Sequence, residues 1–241
     1  MTPSLDILFV AWNRRAFSEF SWTMLMQNTD WSLVSRLYVH DDGSEDGTYD
    51  WLRQQVKRHS PVPAEFFQSD RLQSPPAVMN RMVQWTEAEW FAKIDNDIVV
   101  PPGWLEAMLE VVEGDPSVEL LGMEAGRGLP VTPEWDGVYR FEPGSHMGGV
   151  GLIKTDCLRR RVRLVETQGR YGFTEFQHEY NPVRGWINPD LPVVSLDRVP
   201  FDPWLTLSRE YVELGWQRPW GTYHEQADYW SWWPSEALGV E

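Results

Sequence analysis

The strongest constraint on the fold is a repeated pairing of apolar runs with helical segments. Leu5–Val10 is an apolar run interrupted only by Asp6, and a helical segment follows over roughly Ala16–Gln27. A run in which five of six residues are apolar, with no alternation of apolar and polar residues, predicts a strand that is buried on both faces of a sheet. Strands that alternate with helices indicate parallel pairing, because a parallel crossover needs a connection of about helix length. The pattern therefore predicts a mainly parallel α/β sheet.

The alternation continues to about residue 123 and then becomes less regular. The further predicted strands are Arg36–His40, Phe66–Phe67, Trp90–Ile94, Val118–Met123 and His146–Lys154. The further predicted helices are Tyr49–Arg58, Pro75–Glu87, Gly103–Glu113, Thr155–Arg163 and Phe173–Tyr180. Thr48 is expected to cap the helix that follows it, and the residues after Tyr180 are expected to form loops. No linker stands out, so we expect a single domain over residues 1–241.

Composition excludes several classes of protein. The 241 residues include 36 Asp+Glu against 21 Lys+Arg, a formal net charge of -15. A broad nucleic-acid-binding face needs clustered Lys and Arg, so this balance disfavours one. The single cysteine, Cys157, excludes a disulfide framework and suits a reducing compartment. Because no apolar run reaches the roughly 18 residues of a spanning helix and no signal peptide is evident, we expect a cytoplasmic protein.

Acidic clusters stand where two of the predicted strands end. Asp41 and Asp42 follow the second strand, within DDGSEDGT, and Asp95, Asn96 and Asp97 follow the fourth. Ligands of open parallel sheets bind beyond the carboxyl ends of the strands. Carboxylates there can accept hydrogen bonds from a base or ribose, or hold a divalent metal against a diphosphate. An ordinary turn is the competing interpretation of DDGSEDGT, because Asp, Gly and Ser are residues that turns favour.

The order LFVAWN, VHDDGSEDGT and FAKIDNDIVVPPGWL resembles the nucleotide-sugar-binding half of glycosyltransferase family 2, which has the GT-A fold. The resemblance is good over residues 5–123, moderate over 145–180 and weak afterwards. It implies a Rossmann-like, mixed but mainly parallel sheet flanked by helices. It also divides the domain into a nucleotide-sugar-binding half, 1–123, and an acceptor-binding half with its tail, 124–241.

The resemblance also implies roles for individual residues. Asp41 or Asp42 would recognise the base, and Asp97, the last residue of the DXD signature, would bind Mn²⁺ or Mg²⁺. Asp95 would contact the ribose or the metal. The full expected nucleotide-sugar-binding set is Asn13, Asp41, Asp42, Asn80, Asp95, Asn96, Gly148 and Gly149.

The second half carries the expected catalytic base. Glu175, in YGFTE, matches the carboxylate that deprotonates the acceptor hydroxyl in inverting members of the family, while Glu179 and His178 are alternatives one turn further on. A His often supplies a third metal ligand late in such chains. Ser195 stands at the matching place, which leaves Asp197 or His224 as the candidate.

The C-terminal region is irregular and rich in tryptophan. Seven of the 15 tryptophans lie in this region, namely Trp186, Trp204, Trp216, Trp220, Trp230, Trp232 and Trp233. Aromatic side chains bury large areas in cores, and they also stack on sugars and bases. Core packing and an acceptor platform are therefore both open interpretations of this region.

The leading functional hypothesis is an inverting, metal-dependent transferase that moves a sugar from a nucleoside diphosphate, UDP favoured, to a hydroxyl acceptor. The acceptor is a glycan, a glycoconjugate or another hydroxyl compound, and the acidity disfavours a hydroxylated DNA base. A sugar nucleotidyltransferase is an alternative, but the AWNRRAF turn lacks the glycines of its usual phosphate loop. A non-catalytic carbohydrate-binding protein that uses the tryptophans is the other.

Overall fold

The elements alternate between strands and helices along the chain. The computed structural model describes residues 4–69, 75–123, 150–160, 184–186 and 194–195. The strands are β1 (Leu5–Ala11), β2 (Arg36–Asp41), β3 (Ala64–Gln68), β4 (Trp90–Asp95), β5 (Ile98–Val99), β6 (Leu120–Met123), β7 (Val150–Lys154), β8 (Arg184–Trp186) and β9 (Val194–Ser195). The helices are α1 (Arg15–Asn28), α2 (Thr48–His59), α3 (Pro75–Met82), α4 (Trp104–Gly114) and α5 (Thr155–Arg160), with a 3-10 turn at Trp31–Leu33.

Seven strands form one sheet in the order β3-β2-β1-β4-β7-β6-β8. β1 pairs in parallel with both β2 and β4, and β2 pairs in parallel with β3. β7 lies antiparallel between β4 and β6, while β8 runs parallel to β6. The expected mixed, mainly parallel α/β sheet with flanking helices is thus confirmed.

The register of the central strands brings their carboxyl ends to one edge of the sheet. Val10 of β1 lies opposite His40 of β2 and Asp95 of β4, and Ala11 lies opposite Asp41. Each of these strands therefore ends within one residue of its neighbours. The turns that follow β1, β2 and β4 consequently meet at this edge.

Helices cover both faces of the sheet. On the first face, Leu5, Ile7 and Phe9 of β1 join a core cluster with buried side chains of α1, α2 and α4. On the second face, Leu8 and Val10 pack with side chains of α3 and α5. Alternate residues of β1 thus supply two cores, which explains why its sequence is apolar except at Asp6.

Three local expectations need correction. α3 ends at Met82 rather than Glu87, because Gln84 and Trp85 donate to carbonyls three residues back and tighten the chain into turns. Thr48 is the first residue of α2 and not its cap, a position that Gly47 occupies with a φ of 86°. β8 forms where only loops were expected, and the expected helix Phe173–Tyr180 lies outside the described residues.

The chain divides into two compact units, residues 1–194 and 195–241. The second unit lies outside the described residues except for Ser195, so the expectation of a single domain over the whole chain stays a prediction. Within the described part of the chain, no helix has the length and apolar character needed to cross a membrane.

Candidate functional site

The turn after β1 has an unusual backbone and holds the neighbouring turns together. Asn13 and Arg14 have φ values of 50° and 57°, in the left-handed region that few residues other than glycine adopt. The Asn13 N–H donates to Ser44 Oγ at 2.7 Å, and its Oδ1 accepts from the Glu45 N–H at 2.8 Å. These bonds fix the β1 turn against the turn that follows β2.

The DDGSEDGT segment is ordered by its own aspartates. Asp41 Oδ1 accepts from the N–H groups of Gly43 and Ser44, at 3.2 and 2.9 Å. Further along, Asp46 Oδ1 accepts from the N–H and hydroxyl of Thr48, while its Oδ2 accepts from the Arg15 N–H at 2.9 Å. The segment is therefore a hydrogen-bonded turn, as the competing interpretation held, and it lies at the carboxyl edge of the sheet.

Asp41 and Asp42 have different environments. Asp41 is 0% exposed, and its Oδ2 is buried without a hydrogen-bond partner. Asp42 is 9% exposed, and its Oδ1 accepts from Ser69 Oγ at 2.5 Å. Asp41 thus stabilises the turn from inside the protein, whereas Asp42 is the more accessible carboxylate to a ligand.

Ser69 connects Asp42 to the second face of the sheet. Its Oγ also lies 2.9 Å from His40 Nε2, and His40 lines a cavity of about 290 Å³ between β2, β3 and α3. Tyr38, Phe67 and Trp85 supply most of the aromatic lining. None of the acidic site candidates is among the residues that line this cavity.

The DND turn after β4 has a cation on each of its two carboxylates. Lys93 Nζ lies 2.6 Å from Asp95 Oδ1, and Arg14 Nη1 donates to Asp97 Oδ2 at 2.5 Å. Between them, Asn96 Nδ2 donates to the Asn13 carbonyl oxygen at 2.8 Å. The three turns after β1, β2 and β4 are therefore joined through Asn13.

The structure brings together most of the first-half candidates and leaves the others apart or outside it. Asn13, Asp41, Asp42, Asp95, Asn96 and Asp97 lie at one sheet edge. Asn80 lies half-buried on α3, the helix that packs on the second face. The candidates outside the described residues are Gly148, Gly149, Glu175, His178, Glu179, Asp197 and His224.

Sequence reasoning missed the two cations. Arg14 lies in the AWNRRAF turn and Lys93 lies within the predicted strand Trp90–Ile94, and neither side chain was assigned a role from the sequence. Both carried a signal: Arg14 follows Asn13 directly at the predicted ligand edge, and Lys93 stands two residues before Asp95 on the same face of β4. A basic residue beside each acid is what balances charge in a half-buried cluster.

The side chains of the DND turn supply only some of the ligands that a divalent metal ion needs. Asp95 and Asp97 offer hard oxygen ligands, which Mg²⁺ and Mn²⁺ prefer. Within the described ranges, no group of three or more His, Cys, Asp or Glu side chains converges to hold a metal. Mg²⁺ is commonly bound by one or two carboxylates together with substrate phosphates. The residues present therefore fit an ion that a diphosphate helps to bind.

The mixed sheet and the acidic turns at its carboxyl edge define a GT-A-type α/β domain. The sequence matches glycosyl transferase family 2 over residues 7–140, more than half of its 241 residues, and the chain belongs to this family. A comparison with curated proteins finds no significant sequence match. The resemblance read from the three motifs is thereby confirmed at the level of the family.

Solved structures of similar fold include a mannosyltransferase and TarS 1-349. The mannosyltransferase PcManGT from Pyrobaculum calidifontis, in complex with GDP-Man and Mn²⁺, superposes with a TM-score of 0.62 at 15% identity, over 86% of this chain and 60% of that one. TarS 1-349 of S. aureus gives 0.61 at 12% identity, over 80% and 60%. TarS 1-349 in complex with UDP-GlcNAc gives 0.60 at 13%, over 79% and 58%. The chain thus spans about 60% of the length of these proteins, and the likeness establishes the fold.

Proposed function

We propose that the chain is an inverting glycosyltransferase that moves a sugar from a nucleoside-diphosphate sugar to a hydroxyl acceptor, with UDP-sugars as the favoured donors. The observation that supports it most directly is the meeting of three polar turns at the carboxyl edge of β1, β2 and β4, joined through Asn13. This edge is where α/β sheets bind nucleotides. Membership of the family supports the same chemistry.

Donor recognition is assigned to the β1 and β2 ends. Asp42 would accept a hydrogen bond from a ring N–H of the base, because it is the more exposed of the two aspartates. The Asp42 N–H donates to the Ala11 carbonyl at 2.8 Å, so the half-buried Trp12 follows at the same edge. An aromatic side chain there can stack on a base. Both uracil and guanine carry a suitable ring N–H, so UDP- and GDP-sugars belong in one test.

Asp95 and Asp97 would hold Mn²⁺ or Mg²⁺ at the diphosphate. Such an ion, when bound, offsets the negative charge that develops on the leaving diphosphate. The protein's own contribution is to keep the two carboxylates oriented, which Lys93 and Arg14 do in the donor-free structure.

The transfer itself is assigned to Glu175, with Glu179 and His178 as alternatives. The acceptor oxygen forms a bond to the anomeric carbon while the bond from that carbon to the diphosphate oxygen breaks, and Glu175 takes the acceptor proton. Because attack and departure occur on opposite sides, the configuration at the anomeric carbon inverts. These three residues lie outside the described part of the chain, so their roles rest on the sequence resemblance alone.

The test is a donor screen with Mn²⁺. UDP- and GDP-sugars are titrated against the purified chain while thermal unfolding and slow donor hydrolysis are measured. We expect at least one donor to raise the unfolding temperature in the presence of Mn²⁺, and EDTA to remove the effect. If no donor raises the unfolding temperature in the presence of Mn²⁺, the proposal is contradicted.

The catalytic assignment needs its own variant. Glu175→Gln is expected to keep donor binding and lose transfer to a hydroxyl acceptor, by about 100-fold or more if it is the general base. Glu179→Gln is the matched control and should retain transfer. If Glu179→Gln loses transfer and Glu175→Gln retains it, Glu179 is the general base instead.

A further inference from the structure

Asp97, the proposed metal ligand, forms an ion pair with Arg14 at the carboxyl edge of the sheet. Arg14 Nη1 and Asp97 Oδ2 are 2.5 Å apart, and the two side chains are only 9% and 17% exposed. The pair joins the turn after β1 to the turn after β4, 83 residues apart in sequence. It is therefore a long-range contact inside the site and not a local surface pair.

A divalent ion that binds Asp97 through Oδ2 competes with Arg14 for the same oxygen. If Mn²⁺ approaches the carboxylate, two cations compete for one partner at close range, and like charges in a poorly solvated site repel strongly. A guanidinium that loses its carboxylate while it remains half-buried is costly. A second anion close to Arg14 would therefore favour binding of the metal to Asp97.

The donor diphosphate is the anion that the site would offer. A guanidinium presents several N–H donors in a planar fork that matches phosphate oxygens. The backbone of Arg14 is held in place, because Asn13 is bonded to both neighbouring turns and the Arg14 carbonyl accepts from the Ser18 N–H at 2.9 Å. The side chain can thus change partners while the turn stays fixed.

We propose that Arg14 couples metal binding to donor binding: it holds Asp97 in the donor-free protein and transfers to the diphosphate when metal and donor bind together. The inference rests on the proposed function and adds a positioning residue to it. Metal alone binds weakly because it must displace Arg14, and metal with nucleotide binds tightly because the displaced guanidinium gains a new partner. By linkage, the metal raises nucleotide affinity by the same factor.

The experiment measures Mn²⁺ affinity, from the electron paramagnetic resonance signal of free Mn²⁺, with and without UDP and, separately, GDP. In Arg14→Gln, we expect Mn²⁺ without nucleotide to bind about tenfold more tightly than in the unmodified chain, and the increase on adding nucleotide to shrink by a similar factor. A variant that merely damaged the site would bind Mn²⁺ less tightly, so a gain in affinity separates coupling from a structural role.

Arg15→Gln is the matched control. It removes the same charge one residue further on, where Arg15 pairs with Glu19 at 2.7 Å and both side chains are 43% exposed. Its Mn²⁺ affinity and coupling should equal those of the unmodified chain. Arg14→Lys is the second variant, in case Arg14→Gln folds poorly, because lysine keeps the charge but lacks the planar fork of donors. We expect Mn²⁺ alone to bind this variant as it binds the unmodified chain. The gain in Mn²⁺ affinity on adding nucleotide should be smaller.

The outcomes separate this proposal from the proposed function. Equal Mn²⁺ affinity in the Arg14→Gln and Arg15→Gln variants without nucleotide overturns the competition for Asp97. If both Arg14 variants bind nucleotide and show the same gain in Mn²⁺ affinity on adding nucleotide as the unmodified chain, Arg14 does not couple the two events. The transferase proposal then still stands. If neither UDP nor GDP binds the unmodified chain with Mn²⁺, both proposals fail.

Discussion

The side chain of Asn96 donates a hydrogen bond to the backbone carbonyl of Asn13 at 2.8 Å. The same Nδ2 also donates to Ser18 Oγ at 2.7 Å, and Asn96 is buried. The middle residue of the DND turn therefore connects β4 to the left-handed turn after β1. Its role in donor binding stays a prediction, while its part in holding the two turns together follows from the contacts.

Replacing Asn96 should loosen both turns. Asn96→Ala removes one buried and one partly buried hydrogen bond and leaves the Asn13 carbonyl with one partner fewer, so we expect a loss of about 1–3 kcal/mol in the free energy of unfolding. UDP affinity with Mn²⁺ should fall as well, because Arg14 and Asn13 lose their fixed position. Urea unfolding and calorimetric titration measure the two effects.

The control for Asn96 is Asn28. Asn28 Nδ2 donates to the Val100 carbonyl at 2.8 Å, near the opposite end of α1 from the three turns. Asn28→Ala should lower stability by about 0.5–1.5 kcal/mol and leave nucleotide affinity unchanged. Equal loss of nucleotide affinity in both variants would mean that general destabilisation, and not the turn, is responsible.

Asp41 and Asp42 should respond differently to the same substitution. Asp42→Asn weakens the proposed contact with the base by removing its charge, and we expect UDP affinity to fall by about fivefold, since hydrogen bonds to charged groups are stronger by roughly 1 kcal/mol. Asp41→Asn keeps an oxygen for the Gly43 and Ser44 N–H groups and should change UDP affinity little. Calorimetric titration with UDP and Mn²⁺ checks both. A larger loss in Asp41→Asn would assign the base to Asp41.

The sequence allowed the central part of the fold to be predicted because its strands are doubly buried. Apolar residues dominate β1 and β4 and form the middle of β2, and each strand is followed by a polar turn, so their positions needed no tertiary information. The place of β7 in the sheet could not be predicted without tertiary information, because β7 pairs antiparallel with β4, whose residues lie about 60 positions earlier. Local periodicity reports burial, but it carries no information about which strand pairs with which.

The site was predictable in its acids and not in its cations. Asp95 and Asp97 stand in a recognisable string, whereas Arg14 reaches Asp97 only because β1 and β4 are neighbours in the sheet. Its position also depends on a left-handed backbone at Asn13 and Arg14, which neither residue type requires. Contacts that depend on strand order and on an unusual turn are properties of the folded chain.

Two glycines test the backbone that supports the site. Gly47 has a φ of 86°, and an added Cβ would lie 3.2 Å from Arg15 Nη1. Gly47→Ala should therefore lower the free energy of unfolding by about 1–2 kcal/mol. Gly114, at the end of α4, has nothing within 4 Å of such a Cβ and no left-handed φ, so Gly114→Ala should raise stability by about 0.5 kcal/mol. Urea unfolding gives both values, and destabilisation by Gly114→Ala would contradict the helical assignment of that residue.

The carboxyl group of Asp6 should contribute to the pH dependence of the free energy of unfolding. Burial raises the pKa of the Asp6 carboxyl above its ordinary value of 3.8, and the hydrogen bond from Thr86 offsets only part of this. The folded chain therefore holds this proton more tightly than the unfolded chain does, so the contribution of Asp6 to stability is largest below pH 3.8 and falls as the pH rises through the folded pKa. Asp6→Asn removes that loss, and its stability relative to the unmodified chain should increase from about pH 3.5 to pH 7.

Asp30→Asn is the control with the opposite sign. The side-chain and backbone hydrogen bonds from Ser32 lower the pKa of Asp30, so its contribution is present above the ordinary value of 3.8 and is lost as the pH falls through the lower folded pKa. Asp30→Asn should therefore become less stable than the unmodified chain as the pH rises over the same range. Urea midpoints measured across that range give both difference curves. Curves that run in the same direction would show that the loss of one negative charge from an acidic protein, and not the local environment of each carboxyl, governs the result.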